Sequence, residues 1–450
     1  MDYVPHTKNE FEQMLDTIGV KSFDELLNSI PKELRKFEMR LPKGMVEVEV
    51  MALLREMADK NIPVTKYDSY LGAGAYEHYI PSVVGHLAGR SEFYTAYTPY
   101  QAEASQGSLQ AMFEYQTAIC ELTGMEISNA SLYDAGSAVA EAAIATLRLA
   151  RDGRNIVVSA AVHPEHRNIL KTYMKGMGIE VREVPFNGGL TDITALDAAI
   201  DNETAGAIVQ SPNFFGCIED MELISEMVHK KGSSFVAVVN PISLGVLKSP
   251  GEYNADIAVG DGQPLGIPLS YGGPYLGFFA CNDKVLRKIP GRLIGLANDK
   301  NGKRGFVMTL QAREQHIRRD KATSNICTNQ ALMAIRALIF LCCLGKDGIR
   351  EVGEINIRNS HYAIEKISLL NGFSRKFRAP FFNEFVIQSQ MPVEDLNERL
   401  LEKNIFGGVP LKWWYPELKD CLLICVTETK TIEKIDRFIK ILEGINCPAN

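Results

Sequence analysis

The sequence predicts an α/β fold in which helices cover both faces of a mostly parallel sheet. Its short apolar or β-branched runs lie at residues 155–159, 206–210, 234–240 and 255–259. Helical or turn-rich sequence separates these runs, as at residues 221–230. Continuous apolar strands that alternate with helices are typical of a parallel sheet buried on both faces. We therefore expect one large α/β domain, over residues 66–330.

A helical segment, over residues 1–65, is expected to precede this domain. Thr7 with Glu10 and Ser22 with Glu25 each have the S/T-x-x-E spacing of a helix start. That spacing lets the two side chains satisfy backbone N–H groups that the first turn leaves free. The length of 450 residues allows two or three domains in all.

Two longer helices are expected further along the chain. Residues 138–151 are rich in alanine, and Gly153 is placed as a C-terminal stop. A long helical region is expected from about Arg313 to Leu370.

The C-terminal part, residues 331–450, is expected to form a small α/β domain. It combines apolar runs that predict strands with amphipathic stretches that predict helices. The expected strands are residues 385–389 and 422–426, and the expected helices are residues 394–403 and a last one from residue 431.

Composition excludes several classes of protein. The 48 Lys and Arg are outnumbered by 55 Asp and Glu, giving a net charge of −7 without the cation excess of a general nucleic-acid binder. With 46% hydrophobic and 23% charged residues, the composition is that of a globular chain, not a disordered one. The most apolar stretch, residues 331–344, contains Arg336 and is too short to span a bilayer, so we expect a buried helix there.

Cysteine usage indicates a reducing compartment. The nine cysteines are odd in number and include no C-x-x-C pair, which argues against a disulfide framework or a zinc site. The N-terminus is polar and acidic, without the pattern of a signal peptide. We therefore predict a cytoplasmic protein with no metal site.

Two candidate ligand-binding segments follow from the expected sheet. Gly136 and Ser137 precede the Ala-rich helix, whose free N–H groups could hold a phosphate, although Ser137 is equally suited to a plain N-cap. His163 follows the strand at 155–159, at the sheet edge where ligands gather. Its ring could stack on a planar cofactor, or it could be a partly buried loop histidine.

Glycines and tyrosines mark two further segments. One runs from Asp261 and Gln263 to Gly272-Gly273-Pro274, which indicates a tight turn, backbone close to a ligand, or a simple connection between strands. The other carries hydroxyl and amide side chains around Pro99, which interrupts any helix there. So many hydroxyl and amide groups close together suit either a binding site for a polar ligand or an ordered loop. The residues of this tyrosine-rich segment are Tyr94, Tyr97, Thr98, Tyr100 and Gln101.

Several long runs resemble the glycine cleavage system P-protein family, and within it the alpha-subunit branch of the two-subunit form. These runs are LGAGAYEHYIP, SEFYTAYTPYQAEASQGSLQAMFEYQTAICELTGM, QSPNFFG and REQHIRRDKATSNICTNQ. The resemblance spans nearly the whole chain. It implies the aspartate-aminotransferase-like fold of the fold type I pyridoxal-phosphate enzymes.

The resemblance also implies a function and partners. It implies that pyridoxal 5'-phosphate on a partner subunit decarboxylates glycine, and that the aminomethyl group passes to the lipoyl group of the H-protein. The partner would be a second P-protein subunit of the same fold, in an α2β2 assembly.

Two positions depart from what a pyridoxal-phosphate enzyme needs. Gln263 stands where the resemblance puts the lysine that forms the Schiff base, and a carboxamide cannot form an imine. Asn240 stands where an acidic group is expected against the pyridinium nitrogen. We therefore expect no cofactor in this chain, and a degenerate pocket at Gly136, Ser137, His163, Asn240 and Gln263. The rival is that Lys321 serves instead.

The tyrosine-rich segment is expected to complete the partner's active site across the subunit interface. Two alternatives stay open: a self-sufficient pyridoxal-phosphate decarboxylase or aminotransferase, and an inert scaffold subunit.

A basic strip is found elsewhere in the sequence: residues 284–321 carry 11 Lys or Arg and only 3 Asp or Glu. This basic strip is either an ordinary charged surface, a set of cations that pair internally with the acidic remainder of the chain, or a region that steers an acidic partner such as the H-protein.

Overall fold

The computed structural model describes residues 6–35, 40–150, 153–322, 324–326 and 329–446. It divides into two compact units, Met1–Pro63 and Val64–Asn450. The helices of the described residues are α1 (Lys8–Ile18), α2 (Phe23–Leu26), α3 (Lys32–Arg35), α4 (Glu47–Ala58), α5 (Ser82–Ala88), α6 (Ser91–Tyr94), α7 (Gln106–Thr123), α8 (Ala135–Leu149), α9 (Pro164–Met177), α10 (Ile193–Ala199), α11 (Met221–Lys230), α12 (Gln315–Arg318), α13 (Ala331–Ile367), α14 (Val393–Leu401) and α15 (Ile432–Asn446). None of them is long and apolar enough to cross a membrane.

The strands of the same described ranges lie in the second unit. They are β1 (Asp68–Ser69), β2 (Ile127–Ser128), β3 (Asn155–Ser159), β4 (Glu180–Val184), β5 (Phe186–Asn187), β6 (Leu190–Thr191), β7 (Thr204–Gln210), β8 (Ser234–Val238), β9 (Ile257–Asp261), β10 (Gly277–Cys281), β11 (Leu293–Asn298), β12 (Arg304–Thr309), β13 (Phe373–Arg375), β14 (Glu384–Ser389), β15 (Ile405–Phe406), β16 (Val409–Pro410) and β17 (Cys421–Cys425).

The first unit is helical in its described residues. At the start of α1, Glu10 N donates to Thr7 Oγ1 over 3.3 Å and Thr7 N donates to the Glu10 carboxylate over 2.7 Å, so this expected capping box is confirmed. The second capping box is wrong. Ser22 precedes α2 but its side chain makes no capping bond, and Glu25 accepts instead from Lys21 N.

A seven-stranded sheet forms the centre of the second unit, in the order β2-β10-β9-β8-β7-β3-β4. The five strands from β9 to β4 are parallel, and β10 runs antiparallel to β9 and β2. Successive residues of β8 enter different cores, with Phe235 in one and Val236 in the other. The expected parallel sheet, buried on both faces, is therefore confirmed.

A smaller antiparallel sheet, in the order β13-β14-β17-β16, builds the C-terminal part of the chain. Its core includes Phe385 of β14, Ile424 of β17 and Phe438 of α15. The ring of Tyr70 stacks on that of Phe438, with centroids 4.0 Å apart. Through this contact, residues just after β1 pack into the core of the small sheet.

Two expectations about helices are wrong. Helix α8 ends at Leu149 with Ala150 extended, before the predicted stop at Gly153; residues 151 and 152 lie outside the described part of the chain. Instead, Gly153 lies against Ala205, because a Cβ added there would come within 2.7 Å of the Ala205 Cβ.

The expected long helix from Arg313 to Leu370 is also interrupted. Only the short helix α12 and two 3-10 turns occur in the described residues before α13 begins at Ala331. Gly345 has a φ of 64°, which breaks α13 because a left-handed residue cannot continue the helical hydrogen bonds. The preceding hairpin of β11 and β12 had not been predicted.

Candidate functional site

A cavity of about 490 Å³ opens at the carboxyl ends of β3 and β9. Ligands of open α/β sheets bind at this edge, so the position agrees with the one expected from sequence. We refer to it as the sheet-edge cavity. Its lining residues are Ala73, Gly74, Ala75, Tyr133, Asp134, Ala135, Gly136, His163, Glu165, His166, Ile169, Asp261, Gly272, Pro274, Tyr275 and Gln330.

Carboxylates of this chain occupy the N-terminus of α8. Asp134 is the N-cap and accepts from Ser137 N over 2.7 Å, while Asp134 N donates to Ser137 Oγ over 3.1 Å. Asp261, the last residue of β9, accepts from Ala135 N over 3.2 Å. Ser137 is thus a member of a capping box, the alternative left open by the sequence.

Gly136 lies close to the end of a side chain on the neighbouring helix. A Cβ added to Gly136 would come within 2.3 Å of Ile169 Cδ1 on α9. The lack of a side chain at Gly136 therefore leaves room for the Ile169 side chain in its present conformation.

The acidic side of the cavity is Asp261. Burial raises the pKa of its carboxyl to about 7, against hydrogen bonds from the backbone N–H groups of Gln263 and Ala135 that act to lower it. Asp134 nearby raises the pKa further, because two like charges disfavour ionisation.

His163 lines the cavity with a ring whose nitrogens are both engaged. Its Nδ1 accepts from Glu165 N over 3.2 Å, so the proton lies on Nε2, which donates to Ala73 O over 2.8 Å. The ring stacks on His166 with centroids 4.4 Å apart. Burial lowers the pKa of both imidazoles, so both are neutral at pH 7.

Gln263 is buried and does not line the cavity in this structure. Its Oε1 accepts from Tyr76 N over 2.8 Å, and its Nε2 donates to Tyr76 O and to Ile267 O, each over 2.9 Å. The amide is therefore fully hydrogen-bonded.

A carboxylate of the small sheet bonds to the segment that contains Tyr76, as Gln263 does from the large sheet. Glu384, the first residue of β14, accepts from Ala73 N over 2.7 Å and from the Tyr76 hydroxyl over 2.8 Å. Burial raises the pKa of Glu384 to about 7. Residues 72–76, which we name the crossing segment, thus connect the two sheets through Gln263 and Glu384.

The remaining residues of the expected pocket lie apart from the cavity. Asn240 follows β8, and its Oδ1 accepts from Ile242 N over 3.0 Å, which caps a 3-10 turn at Pro241–Gly245. Asn240 is not a lining residue. Lys321, the rival imine-forming residue, is exposed in a 3-10 turn at Arg319–Lys321 and does not line the cavity either.

The sheet-edge cavity does not fit pyridoxal phosphate. No lysine is among its described lining residues, so it offers no amine for an imine. At the N-terminus of α8, where a phosphate would need free N–H groups, Asp134 and Asp261 accept from Ser137 N and Ala135 N. A phosphate there would face two carboxylates. Elsewhere in the described chain, no group of three or more His, Cys, Asp or Glu side chains could hold a metal ion.

Three residues of the tyrosine-rich segment, Tyr94, Tyr97 and Thr98, line a second cavity of about 200 Å³, which we name the tyrosine groove; Tyr100 and Gln101 do not line it. Tyr94, Tyr97 and Tyr100 are exposed to 70%, 86% and 52%, unusually high values for aromatic rings. Gln101 is also exposed. Arg292 donates to Thr98 Oγ1 over 3.3 Å.

One residue belongs to both cavities. Gln330, directly before α13, lines the sheet-edge cavity and the tyrosine groove. The structure therefore brings the tyrosine-rich segment next to the cavity that holds Gly136 and His163, although the two lie far apart in sequence.

Sequence reasoning missed three residues of this region: Tyr76, Glu384 and Arg292. Tyr76 lies within the run LGAGAYEHYIP, but no local pattern reveals its contact with Glu384, which is more than 300 residues away in the sequence. For Arg292, the signal was only its membership of the basic strip.

Comparisons with known proteins identify the family. The family model described as "Glycine cleavage system P-protein" matches residues 1–442. A curated relative from Desulfitobacterium hafniense, "Probable glycine dehydrogenase (decarboxylating) subunit 1", is 52% identical over 440 residues, covering 98% of each chain. A solved glycine decarboxylase (P-protein) in inhibitor-bound form is 41% identical with a TM-score of 0.92, over 99% of this chain and 100% of that one.

More distant structures define the fold alone. Sphingosine-1-phosphate lyase from Burkholderia pseudomallei is 14% identical, with a TM-score of 0.68 over 91% of this chain and 92% of that one. The expected fold, that of the fold type I pyridoxal-phosphate enzymes, is thereby confirmed. Since the family model spans nearly the whole sequence and the relatives share about half of its residues, the chain belongs to the glycine cleavage system P-protein family.

Proposed function

We propose that this chain is the subunit of a heteromeric glycine decarboxylase that does not hold the cofactor. Family membership and the name of the curated relative, subunit 1 of glycine dehydrogenase (decarboxylating), support the reaction and the existence of a second subunit. On this proposal the second subunit has the same fold and the assembly is α2β2.

The proposed reaction releases the carboxylate of glycine as CO2 and passes the aminomethyl group to the lipoyl group of the H-protein. Pyridoxal 5'-phosphate on the partner subunit supplies the electron sink. This chain contributes its fold and the exposed side chains of the tyrosine-rich segment, which would line the partner's site.

The observation that carries the proposal is the state of Gln263. Its amide makes three hydrogen bonds to backbone groups of Tyr76 and Ile267. A residue held in this way is a structural part of the chain, and its chemistry excludes an imine. The carboxylates at the N-terminus of α8 support the same conclusion.

Separate tests of the two subunits examine the proposal. Each would be purified after co-expression, and its visible absorbance and borohydride-reducible pyridoxal adduct would be measured. We expect the adduct on the partner alone, and CO2 release from glycine only when both chains are present. An adduct on this chain would support instead a self-sufficient pyridoxal-phosphate enzyme.

An inert scaffold remains the second candidate. The exposure of Tyr94, Tyr97 and Tyr100 favours an active contribution, because rings that served only the fold would be buried. Turnover of tyrosine variants distinguishes a subunit that contributes to the active site from an inert scaffold, because an inert scaffold would tolerate these changes.

We also propose a cytoplasmic location. The seven cysteines in the described part of the chain are all free thiols, including the neighbours Cys342 and Cys343. Free thiols are typical of a reducing compartment.

A further inference from the structure

The tyrosine groove contains a buried, cationic wall. Arg292 and Asn329 both line it, and their residues are only 5% and 9% exposed. Arg292 is the one charged residue among its described lining residues, which include no Asp or Glu.

Arg292 fixes the orientation of the Asn329 amide. Its Nη1 donates to Asn329 Oδ1 over 3.1 Å, so the amide oxygen faces the guanidinium. The opposite orientation would direct an NH₂ group at another donor. The Nδ2 group of Asn329 is buried and has no hydrogen-bond partner within the described chain.

Thr98 offers a second donor on the same wall. Its Oγ1 accepts from Arg292 Nη2, so the hydroxyl hydrogen is available to another acceptor. A buried NH₂ donor without an acceptor is unfavourable, so its retention beside a cation calls for an explanation. An acceptor with negative charge supplies that explanation, because it satisfies the donor and is attracted to the guanidinium.

One acidic group lies close to this wall. Glu314 interacts electrostatically with Arg292, but also with Arg313 and His316. Burial raises the pKa of Glu314, and the charges of Arg313, His316 and Arg292 act to lower it.

We propose that the tyrosine groove is a binding site for a small oxyanion, held by Asn329 Nδ2 and the Thr98 hydroxyl in the field of Arg292. All three groups belong to this chain, so binding does not need the partner. The existence of this site does not depend on the proposed function. Only the identity of the natural ligand that carries the oxyanion rests on it.

Two sources of the oxyanion are compatible with that function. One is the carboxylate of the amino-acid substrate, and the other is a phosphate group. Both present oxygen acceptors to guanidinium and amide donors. Gln330 links the groove to the sheet-edge cavity, so a ligand at this position would lie beside both.

Calorimetric titration of the full-length chain tests the proposal, with inorganic phosphate and acetate as probes at constant ionic strength. We expect one saturable site for at least one of the two anions. Asn329→Asp keeps the shape of the side chain and its bond to Arg292 but replaces the NH₂ donor with a carboxylate oxygen. It should weaken binding at least tenfold.

A matched control is Asn301→Asp, which makes the same change of charge at an exposed position in the β11–β12 turn. It should leave binding unchanged. Asn329→Leu removes the donor without adding charge and should also weaken binding, which covers the case in which the aspartate variant does not fold.

Tighter phosphate binding would identify a phosphate-bearing ligand, and tighter acetate binding a carboxylate. Absence of saturable binding by the wild-type chain, or wild-type binding by both Asn329 variants, would refute the site. The anion-binding test and the test of the proposed function can fail separately. The proposed function is decided by CO2 release and by the location of the pyridoxal adduct, and the groove by anion binding.

Discussion

Gln263 and Tyr76 are joined by two hydrogen bonds, one in each direction. The side-chain oxygen of Gln263 accepts from Tyr76 N over 2.8 Å, and its NH₂ group donates to Tyr76 O over 2.9 Å. The amide thus pairs with a backbone residue as a neighbouring β-strand would. Because Gln263 lies just after β9, this pair fixes the crossing segment against the edge of the large sheet.

The first prediction concerns Gln263→Lys. The variant loses the acceptor for Tyr76 N and places an ammonium group in a buried site that the Gln263 amide fills with three hydrogen bonds. We expect the free energy of unfolding to fall by about 3 kcal/mol, measured with urea, and no pyridoxal adduct to form.

Gln110→Lys is the control, because Gln110 is exposed on α7. It should change the free energy of unfolding by less than about 0.5 kcal/mol. Formation of a stable adduct by Gln263→Lys would mean that the cavity retains more of a cofactor site than its contacts indicate.

The second prediction is a pH dependence of stability that originates at Glu384. Burial raises the pKa of its carboxyl from 4.5 to about 7 in the folded chain. Between these values the folded state binds more protons than the unfolded state, so the free energy of unfolding falls as the pH rises. The limit for one group is about 1.4 kcal/mol per pH unit.

Glu384→Gln removes this titration. Its plot of unfolding free energy against pH should be flatter than that of the wild type between pH 5 and about 7, and parallel to it above that. His163 and His166, whose lowered pKa values give the opposite slope, are common to both proteins, so the difference between them isolates Glu384. Glu402→Gln, at an exposed position, is the control and should preserve the wild-type slope.

The sheet was predictable because its signal is local. Residues 155–159 form β3 as expected, since their continuous apolar character reflects burial on both faces. The expectation that this chain forms no imine has an equally local basis, because it depends on the identity of one residue, Gln263.

Contacts distant in sequence could not be predicted in this way. The bonds from Glu384 to Ala73 and Tyr76 depend on how the small sheet meets the crossing segment. The role of Gly136 depends on Ile169, which belongs to another helix. Periodicity describes which face of an element is buried, but it does not identify the residue on the other side of the contact.

The third prediction tests that packing role. Gly136→Ala introduces a Cβ within 2.3 Å of Ile169 Cδ1 and should reduce the free energy of unfolding by about 1 kcal/mol, the low end of the overpacking range, because only the end of the Ile169 side chain has to move. Ile169→Val removes that Cδ1 atom, so the double variant should be more stable than Gly136→Ala alone. If Ile169→Val gives no such rescue in urea unfolding, the loss arises elsewhere, such as in the capping box of Asp134 and Ser137.

The fourth prediction concerns the tyrosine-rich segment in the assembled enzyme. Tyr97 is 86% exposed, so Tyr97→Phe should leave folding and assembly intact. If the segment lines the partner's site, the variant should lower kcat/KM for glycine about tenfold, corresponding to about 1.4 kcal/mol. Tyr79→Phe, at another tyrosine with 70% exposure, is the control. Wild-type kinetics for both Tyr97→Phe and Tyr100→Phe would favour the inert scaffold.

The basic strip at residues 284–321 is divided by the structure. Arg292 and Arg313 are mostly buried, and Lys284 pairs with Asp256, as the interpretation of internal pairing expects. Lys303 and Arg304 are exposed at the β11–β12 hairpin, so they belong, with other exposed cations such as Arg287, to the part of the strip able to attract an acidic partner.

The last prediction is that these two exposed cations increase the association rate with the H-protein. Attraction between exposed charges acts over a Debye length, which falls from about 10 Å at 0.1 M salt to about 3 Å at 1 M. Reversing both charges, with Lys303→Glu and Arg304→Glu, should raise the apparent KM for the H-protein at low salt and flatten its salt dependence. Lys230→Glu with Lys231→Glu makes the same change of net charge at an exposed pair at the end of α11 and should have little effect. Equal KM values for the two double variants across the salt series would mean that the strip is ordinary charged surface.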